Sequence, residues 1–187
     1  MTVERILIGV ALALGLVGGY LIARARRGGR RSERPDTVHQ ILLPFTGVEI
    51  SRRAVDAALR LARAEDATLM PAYLAAVPKS LPLDCSIPAE AAKAMPMLEA
   101  IEQRAAGQGV PVDSRIERGR SYRHALARLL ERERFDRVVV PASATGTAGL
   151  SGEDLVWLLE KAPAEVLILR PAPQDTRFVT GYGAQPT

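Results

Sequence analysis

"IERGRSYRHALARLLERERFDRVVVPAS", residues 116–143, decides the architecture. It completes an alternating run that starts at Val110, "VPVDSRIE" (110–117), and alternation of this kind marks a strand with one face buried. In "SYRHALARLLERER" (121–134) the period changes. Tyr122, Ala125, Leu126 and Leu129 fall at helical spacing and are predicted to face inward, with the charged residues facing water. "DRVVVPA" (136–142) is a short β-branched run, the pattern of a strand covered on both faces. Strand, helix and strand in this order form a βαβ unit, whose strands run parallel.

The same alternation extends in both directions. "HQILLPF" (39–45) reads as a first strand, followed by a helix from Ser51 with Val55, Ala58, Leu59 and Ala62 on one face. "ATLMPAYLAAV" (67–77) reads as a second strand, less cleanly because of Pro71. Pro78, Pro82, Pro88 and Pro96 then predict a loop running into a broken helix, regular over 96–106, with Leu98, Ile101 and Ala105 inward and Gly107 as its stop. Beyond the opening stretch, 153–161 reads as a helix with Leu155, Leu158 and Leu159 inward. "EVLILR" (165–170) is a fifth strand, with Val166 and Ile168 on one face and Leu167 and Leu169 on the other. From Pro171 onward, Pro173, Gly181, Gly183 and Pro186 predict a disordered tail. No internal repeat is present.

The chain has 187 residues, enough for one domain and an appendage. The appendage is N-terminal. "ILIGVALALGLVGGYLIA" (6–23) is an uncharged run of eighteen, which as a helix would be about 27 Å long and just cross a hydrocarbon core. Arg24, Arg26, Arg27, Arg30, Arg31 and Arg34 follow it, with only Arg5 on the other side. The excess of arginine predicts a single-pass anchor at the cell membrane, N-terminus outside and domain cytoplasmic. A cleavable signal peptide ending at "ARA" (23–25) is the rival reading. The long apolar run, the weakly basic start and the arginine cluster all speak against it. Ala11, Gly15, Gly19 and Ala23 recur every fourth residue, a small-residue stripe through which two spans could pack. The Arg24–Arg34 cluster also suits anionic lipid, at roughly 1 kcal/mol per residue near the surface.

The net charge of +4 belongs to this segment. Residues 24–34 hold six arginines and one glutamate, so residues 35–187 sum to −1, with 18 basic and 19 acidic residues. With aromatics at 4%, nucleic acid is a poor partner for the domain. One cysteine and two histidines exclude a disulfide framework and leave no ligand-spaced metal set. Cys85, in "LPLDCSIP", has no histidine near it in sequence, and Asp84 and Glu90 suit a turn and a helix start better than an acid/base pair. No catalytic residue is predicted.

The order and spacing of these elements resemble the universal stress protein family over residues 38–172. "ILLPFTGVEISRRAVDAALRLARAEDATL" (41–69) is similar to that family's first strand, turn and first helix up to its second strand. Residues 116–143 are similar to its third strand, third helix and fourth strand, and "LLEKAPAEVLILRP" (158–171) to its last helix and closing strand. The resemblance implies a doubly wound α/β domain whose five-stranded parallel sheet has the order 3-2-1-4-5, often dimeric through the last strand. Residues 1–23, 24–37 and 173–187 would then be anchor, basic linker and tail.

Many members bind ATP through an aspartate after the first strand and a loop G-x2-G-x9-G-[ST] after the fourth, and this sequence departs from both. The aspartate position is Thr46. The first two glycine positions fall on Pro141 and Ala144, and Gly152 is followed by Glu153. A shifted reading, Gly146 and Gly149 with Gly152, still gives a loop able to wrap an anion. However, "SGED" (151–154) has a capping-box pattern that occupies helix N–H groups, and Glu153 and Asp154 repel phosphate with no basic residue in 141–152 to offset them. An adenylating enzyme is disfavoured because "FTGVEIS" (45–51) lacks an S-G-G-x-D-S loop. The expectation is a non-enzymatic, membrane-tethered signalling or interaction module without a cofactor and with an unknown protein partner. The alternative is a switch binding ATP or AMP through Thr46, Gly146, Gly149 and Gly152.

Overall fold

The computed structural model describes residues 39–47, 49–142 and 149–170, and the backbone of 177–179. The chain divides into two units, Met1–Thr37 and Val38–Thr187. The first lies outside the described residues, and with it the 6–23 span, the stripe Ala11, Gly15, Gly19 and Ala23, and the arginine cluster. Gly146 also lies outside them. Among the described residues no helix is long and apolar enough to cross a membrane.

The elements run β1 (Gln40–Phe45), β2 (Glu49–Ser51), α1 (Arg52–Ala64), β3 (Thr68–Ala76), α2 (Pro88–Ala106), β4 (Arg115–Gly119), α3 (Tyr122–Arg132), β5 (Arg137–Pro141), α4 (Gly152–Lys161), β6 (Glu165–Leu169) and β7 (Arg177–Val179). A five-stranded sheet has the order β4-β3-β1-β5-β6, all parallel. This is the predicted doubly wound order. Successive residues point to opposite faces, which sorts the core into two layers. Leu43, Leu69, Val55, Leu59, Met97 and Ile101 pack on one side, and Leu42, Met70, Leu74, Leu126, Leu129 and Leu158 on the other. Serines cap three helices: Ser51 Oγ accepts from Ala54 N at 3.2 Å, Ser121 Oγ from His124 N at 3.1 Å, and Ser151 Oγ from Asp154 N at 3.3 Å.

Several expectations are corrected. The helix expected to be regular only from Pro96 is continuous from Pro88, which stands in the first turn where a missing N–H costs nothing. Ala94 and Met97, buried on either side of Pro96, hold it together across the proline. Tyr122 is 42% exposed rather than inward, because it is the first residue of its helix and lies beyond the sheet. Leu159 is 59% exposed rather than inward: Leu155 and Leu158 join the second core layer with Val166, and Leu159 does not. Within the stretch expected to be disordered, Arg177–Val179 pairs antiparallel with Glu49–Ser51.

Pro71 is tolerated in an inner strand because of the register. Ala72 faces Arg115, so Pro71 stands opposite Ser114, in the gap between the Leu69–Val112 bridge and the start of β4. The missing amide falls on the β4 side, just past the Leu69 N–Pro111 O and Asp113 N–Leu69 O bonds, and interrupts that ladder for one rung, while the β1–β3 register runs on through Leu43–Pro71.

Candidate functional site

In an open parallel sheet the crevice for a ligand lies outside the carboxyl ends of the strands where their order reverses, here between β1 and β5. The sequence makes that crevice directly. The β1–β5 register runs through Ile41–Arg137 and Leu42–Val138 and then stops. The next rung would need amides from Pro44 and Pro141, and neither residue has one. The β1–β5 ladder therefore ends there, although β1 continues to pair with β3 as far as Phe45–Tyr73.

The chain's own backbone uses the freed edge of β5. Leu150 N donates to the Pro141 carbonyl at 2.9 Å, and Leu150 forms a parallel bridge with Ala142. The Leu150 side chain is buried with Leu42, Val140 and Leu158. Gly149 makes this return possible, since a Cβ there would stand 2.2 Å from the Pro141 carbonyl oxygen. Gly152 is the first residue of α4, and a Cβ there would meet nothing within 4 Å. Of the three glycines proposed for a cradle, Gly149 is thus required by packing and Gly152 is not. Thr46, just past β1, is 6% exposed.

The N-terminus of α4 is occupied as the S-x-x-D pattern predicted. Ser151 Oγ accepts from Asp154 N and donates to Asp154 Oδ2 at 2.7 Å. One element of the electrostatics was missed. Arg123, from α3, donates through Nη2 to Asp154 Oδ1 at 3.0 Å and through Nε at 3.2 Å, and lies 5.7 Å over the Trp157 ring. The acidic pair after the loop is therefore offset by an arginine 31 positions earlier. Its only sequence signal was its place in the first turn of a helix that ends up beside α4.

The other candidate residues have structural roles. His124 Nδ1 accepts from Arg120 N at 3.0 Å. Asp136 Oδ2 accepts from His39 N at 2.7 Å and Gln40 N at 3.0 Å. Glu90, in the first turn of α2, accepts from Tyr73 Oη at 2.8 Å and from Lys93 Nζ at 2.7 Å. The Lys93 bond holds the Glu90 carboxyl below its ordinary value, while burial, and then the bond to Glu90, pushes the Tyr73 phenol well above its own. Among the described residues no group of three His, Cys, Asp or Glu side chains could hold a metal ion.

On β6, Val166, Leu167 and Leu169 are half-buried, and Ile168 is 42% exposed. Val156 and Leu159 of α4 are also exposed. The two sheet edges differ. On β4, Arg128 Nη1 donates at 3.2 Å to the Arg118 carbonyl, and the buried Glu117 carboxylate is held by Arg132 at 2.6 Å. Charge of this kind blocks the addition of a further strand. On β6 the one charged pair, Glu165 with Arg137, sits at the strand's first residue, and the residues beyond it are apolar.

A sequence profile described as the universal stress protein family matches residues 37–170. Among curated proteins no match was found. The chain is similar to the crystal structure of a universal stress family protein from Burkholderia pseudomallei, at 22% identity and TM-score 0.53, covering 72% of this chain and 97% of that one. It is similar to universal stress protein UspA from Lactobacillus plantarum, at 20% identity and TM-score 0.52, covering 71% and 98%. It is also similar to a family protein of Arabidopsis thaliana solved with AMP bound, at 14% identity and TM-score 0.52, covering 72% and 93%. At these identities the likeness is one of fold.

Proposed function

The chain belongs to the universal stress protein family, and from that premise we propose that it is a membrane-tethered, non-enzymatic signalling or interaction module that works without nucleotide. The closed α4 N-terminus carries this reading. A phosphate bound there needs free helix N–H groups and a local positive field. Ser151 takes the Asp154 amide, Leu150 N is committed to Pro141, and the charge of Arg123 is spent on Asp154. The 6–23 span and the Arg24–Arg34 cluster supply the tether, with the domain on the cytoplasmic side and the arginines against anionic lipid.

The test is thermal unfolding of the full chain in detergent micelles, with ATP or AMP at about millimolar concentration. A ligand at 100 times its Kd would stabilise by about 2.7 kcal/mol, a shift of several degrees. No shift is expected. The triple change Thr46→Asp, Glu153→Ser and Asp154→Ser, which also releases Arg123, should create one. A shift in the unmodified chain would instead establish the second reading, a nucleotide switch. Family relatives solved with cAMP and with AMP favour that reading.

The module is expected to act as a homodimer through β6. Its edge is unpaired in the sheet and flanked by Ile168, Val156 and Leu159. Tethering in one membrane raises the local concentration and favours pairing. In a Cys85→Ser background, Ile168→Cys should give a disulfide-linked dimer under mild oxidation, and Leu159→Arg should abolish it. Absence of cross-linking would remove the β6 interface.

A further inference from the structure

A cleft of about 560 Å³ opens along the outer edge of β4, at the opposite end of the sheet from β6. Arg115, Arg118, Arg128 and Arg132 are among its lining residues. Two of them are neutralised within the fold. Arg132 is paired with Glu117 at 2.6 Å, and Arg115 makes a two-pronged pair with Asp113 at 3.0 and 2.8 Å.

The other two have only main-chain acceptors. Arg118 Nη1 donates to the Asp84 carbonyl at 3.2 Å, and Arg128 Nη1 donates to the carbonyl of Arg118 itself at 3.2 Å. Among the described residues neither pairs with a carboxylate. Arg118 Nε is buried with no hydrogen-bond partner. Buried donors nearly always find an acceptor, and a cationic one left empty is unusual. The loop before α2 is itself held over this region, since Arg120 Nη1 donates to the carbonyls of Pro78 and Leu81 at 2.6 and 2.7 Å.

We infer that this cleft binds a small molecule carrying a compact oxyanion, a phosphate monoester or a carboxylate, held between Arg118 and Arg128. A planar guanidinium presents two parallel N–H groups that match the two oxygens of such a group. The cleft volume lies in the range of small-molecule sites. Asp84 and Glu133 also line it, and their charge disfavours a polyanion. An added peptide strand is excluded by Arg128, which already occupies the outward Arg118 carbonyl. The site is two strands away from β1 and does not depend on whether the α4 end binds nucleotide.

The test is calorimetric titration of the full chain in detergent with inorganic phosphate and, separately, with acetate, at constant ionic strength maintained with chloride. Saturable binding of at least one anion is expected, and the preferred probe identifies the oxyanion. Arg128→Gln and Arg118→Gln should each weaken it about tenfold or more, the scale of a lost charge-assisted hydrogen bond. Arg128→Lys, which keeps the charge and loses the fork, should also weaken it and guards against misfolding as the cause. Glu133→Gln should strengthen binding, and Arg134→Gln, outside the cleft, should leave it unchanged. No saturable response to either anion, or a response that survives both Arg118→Gln and Arg128→Gln, would overturn the assignment.

Discussion

Deletion of residues 1–37 should move the protein from a form that stays with the membrane through a carbonate wash to one recovered wholly in the soluble fraction. The expectation rests on eighteen uncharged residues, about 27 Å as a helix, and on six arginines immediately after them. The cut spares the fold, because β1 starts at Gln40 and its first amides are held within the domain by Asp136. A reporter fused after Thr187 should behave as cytoplasmic in the full chain. Reporter activity on the outer side would reverse the topology, and full release of the intact chain by carbonate would remove the anchor.

Gly119→Ala should destabilise the released domain by about 3 kcal/mol, at the upper end of what overpacking costs. Gly119 ends β4 and the chain turns at once into α3. A Cβ there would stand 2.2 Å from the Ala125 amide nitrogen, 2.7 Å from Ala125 Cα and 2.7 Å from the Ser121 carbonyl oxygen. All three are backbone atoms of the capped first turn of α3, where Ala125 N donates to Ser121 O, so no side chain can swing aside. Relief requires moving the helix off Leu74 and Val138. The melting temperature should fall by about 10 °C. Gly152→Ala is the matched control, since a Cβ there meets nothing within 4 Å, and it should be neutral or slightly stabilising. Equal effects of the two changes would show that the close approach at Gly119 is relieved cheaply.

The period of the apolar residues made the five-stranded sheet and its helices readable in advance. Leu42 and Leu43 must go to opposite faces, and Val55, Ala58, Leu59 and Ala62 to one. Serine caps read equally well, because a cap is a local matter of three residues. Where the reading failed, the deciding partner was remote. Pro96 reads as a break, and the helix continues through it because Ala94 and Met97 bury in a core shared with Leu43, Val55 and Leu69, far away in sequence. Leu159 shares the helical spacing of Leu155, yet Leu155 packs on the second core layer and Leu159 is exposed. Arg123 reaches Asp154 across two helices, which no local window contains. The crevice was the subtlest case. Pro44 and Pro141 lie far apart in the sequence, and only the register shows that both amides are missing where the β1–β5 ladder ends.

The clamp of Asp136 on His39 and Gln40 has a mechanical consequence for a tethered protein. On the proposed tether, the chain from the anchor would join the sheet at its middle strand, bonded on both sides, rather than at a rim. A pull between the bilayer and whatever the domain grips would therefore load two parallel ladders in shear, where many bonds must yield together. A tether attached to a rim strand would let them be peeled one at a time. Before any rung of β1 slips, the pull must first break both amide bonds to Asp136. Were the 6–23 span an anchor, attachment at this point would suit a domain that must stay folded while that anchor drifts.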